Sequence, residues 1–114
     1  MTHYMRLNPQ PFAAIVCGQK TIELRLNDEK RQTVNVGDRI VFLNTDDAAA
    51  TVTVEVITLH RFATFTDLYA VLPLEKCGYL PNQAASARDM ERYYSLERQK
   101  QYGVLGIEFK VVKL

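Results

Sequence analysis

The sequence has almost no net charge, no cysteine pair, no segment of membrane length and no internal repeat, and each absence narrows what the chain does. Lysine and arginine number 14 against 13 aspartate and glutamate, a formal charge of +1. A chain so balanced lacks the broad basic surface that grips duplex nucleic acid through its phosphates, so any nucleic-acid site must be local. Cys17 and Cys77 stand far apart without CxxC spacing, which argues against a zinc site and a redox pair and fits a reducing cytoplasm. Asn8, Pro9, Gln10 and Pro11 interrupt the N-terminal stretch, so it has neither the order of a signal peptide nor the length of a membrane span, and the mature protein is expected to begin at or near Met1. No linker or low-complexity run divides the chain. Its 114 residues, 47% hydrophobic, suit one globular domain over 1–114.

What is present is a sequence of short, well-punctuated elements. Asn8 and Pro9 read as N-cap and first residue of a short helix with Phe12, Ile15 and Val16 on one face, stopped at Gly18. Thr21 to Leu26 alternates polar and apolar residues, the period of a strand with Ile22, Leu24 and Leu26 toward the core. Asn27 to Val36 reads as an exposed connection, and Gly37-Asp38 as a turn into a strand over 39–44. Asp46-Asp47-Ala48 turns the chain into a long β-branched strand from Thr51 toward Phe62, and these three successive strands predict an antiparallel meander. Thr64 with Asp67 caps a helix ended by Pro73. After a loop over 78–85, Ser86 with Asp89 opens a longer helix running to about Gln101, and Leu105, Ile107, Phe109 and Val111 share one face of a final strand. No βαβ unit repeats, so a small barrel or α+β sheet is expected rather than a doubly wound fold.

The densest polar constellation is Gly18-Gln19-Lys20-Thr21-Ile22-Glu23-Leu24-Arg25. Two residues of strand place Glu23 and Arg25 about 6.5 Å apart on one face. Lys20 and Arg25 suit a phosphate or a base carbonyl, while Glu23 suits a base amino group or the orientation of Lys20. The same alternation also describes an ordinary solvated strand face carrying Thr21, Glu23 and Arg25. Tyr93 and Tyr94 fall on the predicted long helix, where one ring is expected to seal the helix and the other to stack on an unpaired base. His3 is expected in a mobile terminus and His60 at a strand end as a surface or packing residue. Gly37, Asp38, Gly103 and Gly106 read as turn or backbone-permissive positions without chemistry. Arg88, Arg92, Arg98 and Lys100 with Glu91 and Glu97 read first as a solvated helical face and, as the alternative, as a track for an RNA backbone.

Three motifs in order, Gly18-x-Lys20-Thr21-x-Glu23-x-Arg25, Val36-Gly37-Asp38-x-Ile40-x-Phe42, and Tyr93-Tyr94 with Tyr102-Gly103-Val104-x-Gly106-Ile107-Glu108, resemble the ASCH family over nearly the whole chain. The resemblance implies an α+β, PUA-like small mixed or antiparallel β-barrel with flanking helices, in a superfamily associated with RNA binding. It implies a cationic cleft in which Lys20, Thr21, Glu23 and Arg25 gather with Tyr93 and Tyr94 to bind single-stranded RNA or a modified nucleoside, with no cofactor, metal or membrane. Some ASCH proteins resemble N4-acetylcytidine amidohydrolases with a GxKTxTxR motif and a later Glu. Here Glu23 occupies the position of the nucleophilic Thr, which a carboxylate does not replace, and Glu75, Glu91 and Glu97 are the candidates for the later acid. Others resemble metal-independent ribonucleases, for which Lys20 and Glu23 would be the catalytic residues and Arg25 a further cation at the phosphorane. The remaining alternative is a protein-interaction domain with a vestigial cleft.

Overall fold

The computed structural model describes residues 1–114 as one five-stranded sheet with three short helices against it. The elements are β1 (Thr2–Leu7), α1 (Pro9–Val16), β2 (Ile22–Leu26), β3 (Arg39–Asn44), β4 (Asp47–Phe62), α2 (Phe65–Val71), α3 (Leu96–Tyr102) and β5 (Val104–Lys113). The strand order is β1-β3-β4-β5-β2, with β1 parallel to β3 and every other pair antiparallel. This is an α+β fold whose sheet curls into a half-barrel.

The predicted meander is corrected at one point. β3 and β4 form a hairpin as expected, but β2 pairs with β5 and lies at the far edge of the sheet from β3. The other edge is β1, formed by residues around His3 where a mobile terminus is expected. Its alternation is real: His3, Met5 and Leu7 are buried while Thr2, Tyr4 and Arg6 face outward. His3 is anchored because its Nε2 lies 2.8 Å from Asp38 Oδ2, and Asp38 also accepts from the Asn35 amide and holds the chain's N-terminal ammonium at 3.4 Å. Asp38 is thus a buried polar anchor rather than only a turn residue.

Curling follows from β4. Its 16 residues are too long for one flat pairing, and the β4/β5 register shifts between Thr53 and Val54 and between Val56 and Thr58, which bends the strand across two cores. One core packs Phe12 and Ile15 of α1 against Ile40, Phe42, Val52, Val54, Ile107 and Phe109. It also takes Val34, fully buried within the segment expected to be an exposed connection. The other packs Ile22, Leu24 and Leu26 against Phe65, Leu68 and Leu72. Val16, expected on the buried face of α1, is 43% exposed, because the eight-residue helix turns only Phe12 and Ile15 inward. Asn8 occupies the N-cap of α1 without a side-chain cap; its Oδ1 instead accepts from the Thr45 hydroxyl at 3.2 Å.

The predicted long helix after Ser86 is broken. A capping box of Ser86 and Asp89 does form, but over a 3-10 segment, Ala87–Arg92. Ser95 then takes an extended conformation and caps α3 by accepting from the Arg98 amide. Gln99 fixes the break: its carboxamide accepts from the Phe65 amide and donates to the Tyr94 carbonyl, each at 3.0 Å. A second N-cap serine and a fully buried glutamine override the helical propensity of the stretch. The β1 edge is also managed. Arg25 on β2 and Lys30 donate to the Arg6 and Tyr4 carbonyls of β1, so side chains occupy acceptors that an open edge would leave free.

Candidate functional site

The residues following α1 build the site. The Lys20 amide donates to the Ala14 carbonyl, which holds the turn against α1, and the Thr21 and Ile22 amides both donate to Lys76. The turn is therefore pinned on two sides before β2 begins. From there Glu23 and Arg25 project to the face of β2 opposite α2. That face is not solvated: Glu23 is 4% exposed and Lys20 8%. Lys20 Nζ lies 2.8 Å from Glu23 Oε1, and Arg25 Nε donates to Glu23 Oε2 at 2.7 Å. Each carboxylate oxygen is held by a different cation. Arg25 Nη2 continues to the Arg6 carbonyl at 2.7 Å.

Electrostatics match the geometry. Burial works against the Glu23 charge, yet Lys20 and Arg25 outweigh it and hold the carboxyl below its usual range. Burial likewise disfavours the Arg25 cation, and Glu23 together with the Tyr94 phenol more than offsets it, raising its pKa. Burial pushes the neighbouring Cys77 thiol up to about 11, so it is a neutral packing group at physiological pH.

Above this floor opens a cleft of about 720 Å³, the scale of a small-molecule site. One wall is α1 with Arg6, Leu7 and Asn8; the opposite wall is the chain from Cys77 to Ala84 and from Asp89 to Tyr94. The second wall contains little regular structure and is held by hydrogen bonds. Gln19 Nε2 donates to the carbonyls of Glu75 and Tyr79, both at 3.1 Å. The Tyr69 and Tyr79 hydroxyls are 2.7 Å apart, and Tyr79 donates to Asp89 Oδ2 at 2.7 Å. Burial first, then their mutual contact, keeps Tyr79 far above the usual phenol range. Gly78 at φ 113 lays bare backbone over Lys20: a Cβ there would meet Lys20 Cδ at 3.4 Å.

Of the six expected ligand contacts, Lys20, Glu23, Arg25, Tyr93 and Tyr94 line this cleft together. Thr21 does not. It precedes the first regular strand residue, and its backbone is taken by Lys76 on one side and by the Phe109 amide on the other, so the pleat that aligns Glu23 and Arg25 does not extend to it. Tyr94 stacks on Phe65 with ring centroids 6.0 Å apart, while Tyr93 is 57% exposed, giving one packed and one open ring. Glu75, Glu91 and Glu97 are all exposed and none borders the cleft; the second carboxylate that does is Asp89. His60 pairs with Glu108 at 2.9 Å on β4 and β5, outside the cleft. Gln19, Tyr69, Tyr79 and Asp89 escaped sequence reading because their meeting depends on how the 73–92 segment folds back. The Ser86 capping box was the one local signal that placed Asp89. Nowhere do three His, Cys, Asp or Glu side chains converge to hold a metal ion.

The ASCH domain profile matches residues 5–113. The chain belongs to the ASCH domain family. This ASCH domain is similar to the crystal structure of the hypothetical protein PH0355, at 29% identity and a TM-score of 0.82, over 98% of this chain and 100% of that one. The solution structure of protein PF0455 from Pyrococcus furiosus is 29% identical with a TM-score of 0.74, each chain covered in full. The crystal structure of ASCH from Zymomonas mobilis shares the fold at a TM-score of 0.67 and 15% identity, over 97% of this chain and 72% of that one. No curated protein matches the chain significantly. No helix is long and apolar enough to cross a membrane.

Proposed function

We propose that this ASCH domain recognises a nucleobase, as a modified nucleoside or as an unpaired residue of single-stranded RNA, without turning it over. The observation that supports this reading is the buried Lys20–Glu23–Arg25 triad on the floor of a tyrosine-walled cleft. Lys20 uses one of its N–H groups on Glu23 and has others for a base carbonyl, and a carboxylate between two cations sets acceptor and donors side by side, as on a base edge. Tyr93 supplies an open ring for stacking.

The same geometry argues for binding over acyl transfer or RNA cleavage. Glu23 is held at both oxygens and kept ionised below its usual range, so it is a poor proton acceptor, and it stands where an acyl-transfer site of this motif would need a hydroxyl. The test is calorimetric titration of the common nucleosides, N4-acetylcytidine and short single-stranded RNAs against wild type, Lys20→Ala and Tyr93→Ala. Saturable binding weakened by both substitutions is expected. Absence of binding, or binding indifferent to Lys20, refutes the reading. Hydrolysis of N4-acetylcytidine or cleavage of RNA in chelator, lost in Lys20→Ala, would make the site catalytic instead. Failure of all three with capture of a protein at the cleft-free surface would favour an interaction domain.

A further inference from the structure

Six charged residues line the cleft, with Arg6, Lys20, Arg25 and Arg92 against Glu23 and Asp89. This leaves an excess of two positive charges there on a chain whose formal charge is only +1, so the remaining surface is net negative and the positive potential is concentrated at the cleft. The four cations are not equivalent. Lys20 and Arg25 are buried against Glu23 and form the floor. Arg6 and Arg92 are exposed residues of the lining, and no carboxylate lies within ion-pair distance of either guanidinium.

Their placement is fixed by the fold. Arg6 stands on the outward face of β1, and its own carbonyl is the one Arg25 holds at 2.7 Å, so its backbone is stapled beside the triad. Arg92 ends the 3-10 segment directly before Tyr93 and Tyr94, at the edge of the aromatic wall. A pair of unpaired guanidiniums beside a stacking ring and a base-sized floor suits an anionic group attached to a base.

We infer that Arg6 and Arg92 form a phosphate subsite at the mouth of the cleft, so that the ligand is a nucleotide with its base on the triad and its phosphate at the rim. The inference rests on the nucleobase reading above. A free mononucleotide and the end of an RNA chain carry this same phosphate chemistry.

The test titrates cytidine, uridine, adenosine and guanosine, their 5′-monophosphates, and a trinucleotide, against wild type and the variants Arg6→Gln, Arg92→Gln and Arg61→Gln. Charge-assisted contacts from the rim are expected to make the best monophosphate bind about tenfold tighter than its nucleoside. Arg6→Gln and Arg92→Gln each remove most of that advantage and leave nucleoside affinity intact. Arg61→Gln, exposed on β4 outside the cleft, changes neither. A trinucleotide that binds tighter than the monophosphate identifies the source as RNA, and one that binds no tighter identifies a free nucleotide. Because a variant that misfolds would be uninformative, wild type alone provides a second reading: affinity for the monophosphate, but not the nucleoside, rises as the phosphate loses its second proton near pH ~6. The cleft's charged residues are arginine, lysine, glutamate and aspartate, and neither histidine borders it. Equal affinity for nucleoside and monophosphate, or an advantage that survives the Arg6→Gln/Arg92→Gln double substitution, overturns the phosphate subsite and leaves the nucleobase reading standing. Absence of binding by nucleosides and monophosphates alike removes both.

Discussion

Replacing Glu23 with glutamine keeps the side chain's volume and removes the charge that two cations share, so it isolates the electrostatics of the cleft floor. The side chains of Glu23, Lys20 and Arg25 are 5%, 9% and 13% exposed, which leaves little water to compensate the cations once the carboxylate is gone. Removing one partner of a buried ion pair costs about 3–5 kcal/mol. Glutamine retains an oxygen for one cation, which places Glu23→Gln near the lower end, about 3 kcal/mol. In a domain of this size that lowers Tm by roughly 10–15 °C. The pH dependence has a definite sign. The Glu23 carboxyl lies below its ordinary 4.5 in the folded protein because, against the opposing effect of burial, Lys20 and Arg25 favour its charge. Its contribution is therefore complete above pH 4.5 and is lost as pH falls through the lower folded value. Urea unfolding followed by circular dichroism should show the widest gap between wild type and Glu23→Gln at neutral pH, closing in acid. Adding Lys20→Met to Glu23→Gln should recover part of the loss by removing a stranded ammonium. A gap under about 1 kcal/mol at neutral pH, the range of an exposed pair, or one that stays constant with pH, would refute the account of the floor as a closed ionic triad.

Three further outcomes follow from named contacts. His3 first, then the Asn35 amide, hold Asp38 down to about 2 from 3.8, so its contribution is present above pH 3.8 and lost as pH falls through about 2; the difference in urea midpoint between wild type and Asp38→Asn should narrow over that window. Gly106→Ala puts a Cβ 2.8 Å from Leu72 Cδ1, a side-chain tip that can partly yield, so about 1–2 kcal/mol of destabilisation is expected in thermal unfolding. Gly78→Ala combines a left-handed φ of 113 with contact on Lys20 Cδ at 3.4 Å, and should cost about 1–2 kcal/mol while also weakening nucleoside binding by titration.

Much of the fold was legible because the signals were local. The alternation of Ile22, Leu24 and Leu26, the β-branched run of β4 and the Thr64 cap each depend only on neighbouring residues, and each element formed. What escaped was set by distant partners. β1 alternates as clearly as β2, but its order depends on parallel pairing with β3 and on Asp38, thirty-five residues from His3. Helical propensity after Ser86 was misleading because the buried Gln99 ties to Phe65, a contact across 34 residues. Gly106 read as a permissive backbone position, yet its φ is ordinary; a close approach by Leu72 requires it instead. The motif from Lys20 to Arg25 was visible, but its burial was not, because the walls that cover it come from β1, α1 and the 77–94 segment.

That burial changes what mutations at the site can reveal. Arg25 floors the cleft through Glu23 and at the same time holds the carbonyl of Arg6, bridging from β2 to β1, the two edges of the curled sheet. Any substitution at Arg25 therefore perturbs the cleft floor and sheet closure together, and lost binding there would not by itself show recognition. Lys20 and Glu23 share the problem, since each is buried against the other. The residues that separate the two effects belong to the exposed lining: Arg6 and Arg92 have no ion-pair partner, and Tyr93 is 57% exposed. Substitutions there remove little folding energy, since exposed positions away from special contacts typically change stability by about 0.5 kcal/mol or less. If the cleft recognises a base, affinity should fall at these rim positions while Tm stays put; if its polar floor serves only to close the sheet, Tm should respond at Lys20, Glu23 and Arg25 and no ligand should respond anywhere.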